Sequence, residues 1–224
     1  MLKHLNITWL PAGLFILAII VASTVSVESK SPEVSFDGLE LVKSKKVAVL
    51  YTKPDADFSQ YNKVILLDAY VAFKKNWQRD TKVAGHRVSN KDMTKIKADV
   101  AELFAETFTE RLEKDGGYPI VKEADHNVLI FRPAIIDLDI TAPDIKTPGR
   151  SNTYVASAGA ATLYLELYDS VSGEILARVI DRRNMRDYGH MRWANSVTNR
   201  QDAKQMFARW ADLLREGMDV VNKQ

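Results

Sequence analysis

Leu163-Tyr164-Leu165-Glu166-Leu167-Tyr168-Asp169-Ser170-Val171-Ser172-Gly173-Glu174-Ile175-Leu176-Ala177 is the stretch whose reading decides the fold class. Leucines at 163, 165 and 167 alternate with Tyr164, Glu166 and Tyr168, the two-residue period of a strand with one dry face. Ser170-Val171-Ser172-Gly173 interrupts the alternation, and Gly173 suits the left-handed position of a hairpin turn. Glu174 to Arg182 then returns. A hairpin with a leucine face needs a cover, and an amphipathic helix supplies one.

Two such helices are expected on either side of it in the chain. From Ser89 to Lys114, Met93, Ile96, Val100, Leu103, Phe104, Phe108 and Leu112 recur at three- and four-residue steps. Ser89 is a suitable N-cap with Asp92 as the capping acid, and Gly116-Gly117 stop the helix. A last helix is expected from Thr198, with Gln201 completing a capping box and Ala203, Phe207, Trp210, Leu214, Met218 and Val221 inside. Further strands are expected at Val47–Tyr51, within Tyr61–Phe73 as a central strand covered on both faces, and at Val128–Ile140. Pro133 predicts a bulge or an edge in the last of these. Beyond it Asp137 and Asp139 alternate with Ile136, Leu138 and Ile140 as a wet face. Lys74–Arg87 and Thr141–Asn152 read as surface loops, and Asp187–Asn195 as a polar connection. The fold class is therefore α+β: a four- to five-stranded, largely antiparallel sheet with two amphipathic helices, preceded by an N-terminal signal or anchor helix.

Composition suits one globular domain. Of 224 residues, 46% are hydrophobic and 27% charged. With no cysteine, disulfides, thiolate metal sites and a cysteine nucleophile are excluded. The net charge of +2 gives no global drive toward nucleic acid, which is not an expected partner.

The N-terminus is read as export machinery. Lys3 and His4 precede an apolar run, Leu10 to Ala22, and no acid occurs before Glu28. Small residues follow, so cleavage after Ser23 or Ser26 is the preferred outcome. The alternative is an uncleaved anchor over residues 7–27, just long enough for the ~30 Å hydrocarbon core. The expected organisation is thus residues 1–26 as signal peptide or membrane anchor, 27–46 as a polar arm or linker, and 47–224 as a single domain. Its place would be the periplasm or cell envelope, soluble or held in the inner membrane, with membrane contact only through the uncleaved leader.

Three segments carry a family resemblance: Phe58-Ser59-Gln60-Tyr61-Asn62-Lys63-Val64; Ala158-Gly159-Ala160-Ala161 through Ala177, with Asp169 and Gly173 at its turn; and Trp193 followed by the helix bearing Trp210-Ala211. Over about residues 55–220 the chain resembles the bacterial family of unknown function numbered 3313. Its members are mostly small predicted envelope lipoproteins. Many carry a lipobox cysteine, which this chain lacks. The resemblance implies an envelope location and brings no catalytic residue.

The residues themselves offer few sites. None of His4, His86, His126 and His190 pairs at metal-ligand spacing, and there is no nucleophile elbow or phosphate-cradling loop. No cofactor is expected. The strongest local asymmetry is basic: Arg178, Arg182, Arg183, Arg186, Arg192 and Arg200 face only Asp181 and Asp187 within residues 178–200. Arginine forks match carboxylates and phosphates. Arg178, Arg182, Arg183, Arg186 and Arg192 are therefore the candidate binding residues, for an envelope protein or a cell-wall component. Against this stands a solvated strand edge, with Arg178 meeting Glu166 across the hairpin. The expected function is a non-enzymatic binding or assembly module. The alternatives are an enzyme with a carboxylate metal site at Asp137 and Asp139, and a structural subunit that oligomerises through a sheet edge.

Overall fold

The computed structural model describes residues 31–83, 87–141, 153–157, 159–185, 187–194 and 196–222. Side chains are not described at 83, 153–157, 187–194, 196–198 and 222. The expected signal or anchor segment lies outside the described residues.

The hairpin is the centre of the fold. Its strands β7 (Gly159–Asp169) and β8 (Ile175–Asn184) pair from Ala160–Asn184 to Tyr168–Ile175. β8 continues outward to β2 (Val49–Thr52) and β1 (Glu40–Val42), all antiparallel. On the other side β7 pairs antiparallel with β5 (Val128–Ile140). Beyond β5 lie β3 (Lys63–Leu66) and β4 (Tyr70–Phe73), each parallel to it. The result is a seven-stranded mixed sheet in the order β1-β2-β8-β7-β5-β3, with β4 also on β5. A separate two-stranded sheet joins β6 (Thr153–Ser157) to β9 (Asp187–Ala194).

Two helices cover one face. α2 (Asn90–Glu113) begins at Ser89, whose hydroxyl accepts from Asp92 N while the Asp92 carboxylate accepts from Ser89 N, the expected capping box. α3 (Ser196–Asn222) lies against it, joined by Arg111–Asp212 at 2.6 Å and Lys204–Glu110 at 2.8 Å. Phe104, Phe108, Phe207 and Trp210 from the helices meet Phe131, Leu129, Ile135, Leu163 and Leu165 from the sheet in one buried core. The Phe104 ring stacks on Phe108 and meets Phe207 edge-on. Each such side chain, fully buried, contributes roughly 1.5–3 kcal/mol.

Several expectations need correction. The sheet has seven strands and is mixed, not four or five and nearly all antiparallel, because Tyr61–Phe73 forms two short edge strands, not one central strand. The break between them stands opposite Arg132 and Pro133, where proline offers no N–H. Of the bulge or edge expected at Pro133, the unpaired side is what the structure has there; the bulge lies farther on at Asp137, whose φ is +49°. Lys74–Arg87 is not only a loop: it contains α1 (Trp77–Val83), anchored by Trp77 stacked on Phe73 with its Nε1 donating to Ile140 O. Asp187–Asn195 supplies β9. α3 starts at Ser196, so Thr198 and Gln201 are helical positions and not the two ends of a capping box. The segment read as a polar arm also carries structure. β1 lies within it, Leu39 is buried, and Tyr51 OH donates to Pro32 O at 2.9 Å.

Candidate functional site

Alternation along the hairpin gives the sheet two unlike faces. Leu163, Leu165, Leu167, Ala177 and Val179 lie under α2 and α3. Tyr164, Glu166 and Tyr168, with Arg178 and Ile180 beside them, lie on the face turned away from both helices. Across β5 the register adds Ile130, Arg132, Ala134 and Ile136 to that face, and across β4 it adds Tyr70.

The middle of this face is a closed polar network. Arg178 is 4% exposed. Its Nε and Nη2 donate to Glu166 Oε1 at 3.2 and 2.9 Å, and its Nη1 donates to Asp37 Oδ1 at 3.1 Å, with Nη2 reaching Asp37 Oδ2 as well. Tyr168 and Tyr164 donate their hydroxyls to Glu166 at 2.8 and 3.1 Å. The guanidinium lies 5.3 Å from the Phe36 ring centre and 5.6 Å from that of Tyr164. Burial pushes the Glu166 carboxyl up, but the hydrogen bonds from Tyr168, Arg178 and Tyr164 outweigh it and hold the group below the ordinary carboxylate value. Asp37 is held down chiefly by its hydrogen bond to Arg178. Burial drives the Tyr164 hydroxyl up to about 12, aided by the Glu166 charge. At neutral pH the triad is thus Arg⁺ between two carboxylates.

Around this network the face is open. Phe36 is 94% exposed, Tyr70 is 65% exposed, and the Arg132 side chain 65%. Arg132 Nη1 stands 3.5 Å from Glu166 Oε2, a loose contact that leaves the head in water.

The predicted arginines do not form one surface. Arg178 is spent on Glu166 and Asp37. Arg182 is exposed on the same face, its Nη1 3.4 Å from Thr162 Oγ1. Arg183 belongs to the helix side, its Nε 2.6 Å from Asp181 Oδ2 and its Nη2 donating to Lys46 O. Arg200, on α3, pairs with Glu106. Arg186 lies outside the described residues. Arg192 stands opposite Val155 in the small sheet, its side chain not described. The strand alternation that places 182 and 183 on opposite faces was available in the sequence.

The motif residues have structural partners. The Asp169 carboxylate accepts from Val171 N, Ser172 N, Ser172 Oγ and Tyr61 OH at 3.1, 2.6, 2.8 and 2.8 Å. These bonds, the Ser172 amide foremost, hold its pKa at about 2, while burial and the Asp169 contact raise Tyr61 to about 12. Gly173 takes φ +70° and its N–H closes the turn onto Asp169 O. Trp210 Nε1 donates to Asp181 Oδ2 at 2.9 Å. Trp193 stands opposite Tyr154 in the small sheet, its side chain not described.

The Asp137–Asp139 pair does not keep its strand register. The bulge turns Ile135 and Leu138 into the core and leaves Asp137 exposed, while Asp139 pairs with Lys74 at 3.0 Å. Among the described residues no three His, Asp or Glu side chains gather as a metal site. Sequence reasoning missed Phe36 and Asp37. No local signal linked them to Arg178, which is 141 positions from Asp37.

The family model described as "Protein of unknown function (DUF3313)" matches residues 30–214. Among curated proteins nothing matches the chain. Among solved structures, the PelC dodecamer from Paraburkholderia phytofirmans is similar at 12% identity and a TM-score of 0.36, covering 74% of this chain and 96% of that one. Protein XCC0632 from Xanthomonas campestris, of family model DUF330, is similar at 11% identity and a TM-score of 0.38, covering 77% and 92%.

Proposed function

The chain belongs to the DUF3313 family of proteins of unknown function, and we propose that it is a non-enzymatic module of the cell envelope that seats a protein partner on the sheet face turned away from its helices. One observation carries the reading: on that face Phe36 and Tyr70 stand exposed beside the solvated head of Arg132. Aromatic residues and arginine are the anchors most enriched at protein interfaces. The network beneath is internally satisfied, so it gives the anchors a rigid floor without offering a reactive group. Arg132 and Arg182 leave the rim basic, which favours an acidic patch on the partner. The export reading of residues 1–26 supports an envelope location.

The test is site-specific photo-crosslinking in intact cells. A crosslinker at position 36 or 70 is expected to capture one defined protein, and the adduct is expected to fall at least several-fold in an Arg132→Glu background. A crosslinker at Glu102, on the outer side of α2, is expected to give no such adduct. The same adducts from both faces, or an adduct indifferent to Arg132→Glu, would sink the proposal.

A further inference from the structure

On the helix side the layer does not close over the sheet. Between β2 and the C-terminal half of α3 lies a half-open cleft of about 220 Å³. Leu163, Leu167, Ala177 and Val179 form its floor, and Leu50, Phe58, Leu214 and Met218 are among its walls. Only Ser44, Lys46 and Thr52 bring polar side chains to the lining.

Two features bear on what fills it. The first is Gly217. A glycine inside a helix costs roughly 0.5–1 kcal/mol relative to alanine. Here it lines the cleft, and a Cβ built on it meets nothing within 4 Å. No close-packed neighbour therefore demands a glycine, and the missing side chain widens the cleft. The second is charge. Lys43-Ser44-Lys45-Lys46 runs past the mouth into β2, and Lys43 and Lys45 have no ion pair among the described residues. Lys46 reaches across the mouth to Glu216 at 2.9 Å, with both side chains more than half exposed, a weak clasp of the kind an anion can displace. Ser44 Oγ accepts from Lys46 N and Val47 N, which leaves its hydrogen to donate outward.

We infer that this cleft binds the tail of a single-chain fatty-acid anion, with the carboxylate held outside at Ser44, Lys45 and Lys46. Size decides between occupants. Apolar cavities of about 150 Å³ take benzene, whereas pockets for whole drug-sized ligands run from about 300 Å³ upward. The cleft thus suits part of one chain and is too small for a two-chain lipid. This inference is independent of the partner face, which lies on the other side of the sheet.

The experiment is titration of the purified full-length protein with dodecanoate below its micelle concentration, by calorimetry, with dodecanol and dodecyltrimethylammonium as controls. Dodecanoate is expected to bind one per chain. Gly217→Phe is expected to weaken it at least tenfold with the melting temperature held or raised, since the new ring enters free space. Lys43→Glu with Lys45→Glu is expected to weaken dodecanoate several-fold and leave dodecanol unchanged. Any leader-borne binding is indifferent to Gly217→Phe. Dodecanoate binding that survives Gly217→Phe in a folded protein would place the tail elsewhere and overturn the inference. So would equal affinity for dodecyltrimethylammonium. A change in oligomeric state on Gly217→Phe, read by light scattering without dodecanoate binding to the parent, would make the cleft a self-association surface and overturn it too.

Discussion

Replacing Arg178 with methionine tests whether the polar network on the open sheet face holds the fold together or merely decorates it. The substitution keeps most of the aliphatic stem and removes the guanidinium. Glu166, 8% exposed, then keeps the Tyr168 and Tyr164 hydroxyls but loses its buried cation, and Asp37 loses its anchor. Removing one partner of a buried pair costs about 3–5 kcal/mol, because a charge is left uncompensated. Two features trim this: the tyrosine hydroxyls still solvate Glu166, and Asp37 can turn to water. About 3 kcal/mol is therefore expected for Arg178→Met, measured by urea unfolding followed by circular dichroism. The double variant Arg178→Met with Glu166→Leu removes both buried charges and is expected to recover most of that loss. With the Glu166→Leu single variant completing the double-mutant cycle, the coupling is expected at about 2 kcal/mol, against 0.2–1 kcal/mol for an exposed cross-strand pair. A single-variant cost below about 1 kcal/mol with no coupling would refute the view that Arg178 is a structural centre. It would also return Arg178 to the pool of residues free for a ligand.

Three further perturbations have defined outcomes. Asp169 has a folded pKa of about 2, below the ~3.9 of an unfolded aspartate, so its contribution is complete above about pH 4 and is lost as pH falls toward 2. Screened by solvent, that contribution is on the order of 1 kcal/mol; Asp169→Asn should flatten the acid limb of the stability profile, and an unchanged limb would assign the acid loss to other carboxylates. Gly173→Ala should cost about 1–2 kcal/mol by thermal unfolding, because φ is +70° while a Cβ there meets no neighbour, so the cost is backbone strain alone. Asp37→Ala should release residues 31–39 from Arg178, seen as several-fold faster limited proteolysis within that segment at little change in global stability. Unchanged cleavage would mean that the Pro32 and Leu39 contacts hold it without Asp37.

How much of this could be read from the sequence follows from how local each signal is. The capping box at Ser89 and the hairpin turn at Asp169 and Gly173 depend on residues within a few positions of one another, and both stand where the pattern put them. The Glu166–Arg178 pair spans one hairpin and follows from register. What failed was long-range or edge-dependent. Val64-Ile65-Leu66-Leu67 looked central because it is apolar on both faces, yet β3 is the last named strand of the sheet, parallel to β5 and bridged on its other side only at Val64, by Pro119–Val121. Its covering comes from elsewhere in the chain, which a local pattern does not contain. Asp137 read as a regular strand position because a bulge leaves no mark on hydrophobic alternation until the partner strand is known.

The same distinction separates the family's signature from its function. The residues that carried the resemblance join one another in space. Tyr61 from the first segment bonds Asp169 in the second, and Trp210 from the third bonds Asp181 on the returning strand of the same hairpin. They fasten the hairpin to the edge strands on one side and to α3 on the other, so their side chains are consumed in holding the sheet. A motif so employed reports an architecture. Tyr61, Asp169 and Trp210 are satisfied within the fold and carry no ligand signal of their own. The cleft beside Gly217 is floored by Leu163, Leu167 and Ala177 and bordered by Phe58 and Trp210 from within the segments, whereas Phe36, Tyr70 and the exposed head of Arg132 lie outside all three. Proteins sharing the signature should therefore share this sheet and its two covering helices, while differing in what they bind wherever these outlying positions differ.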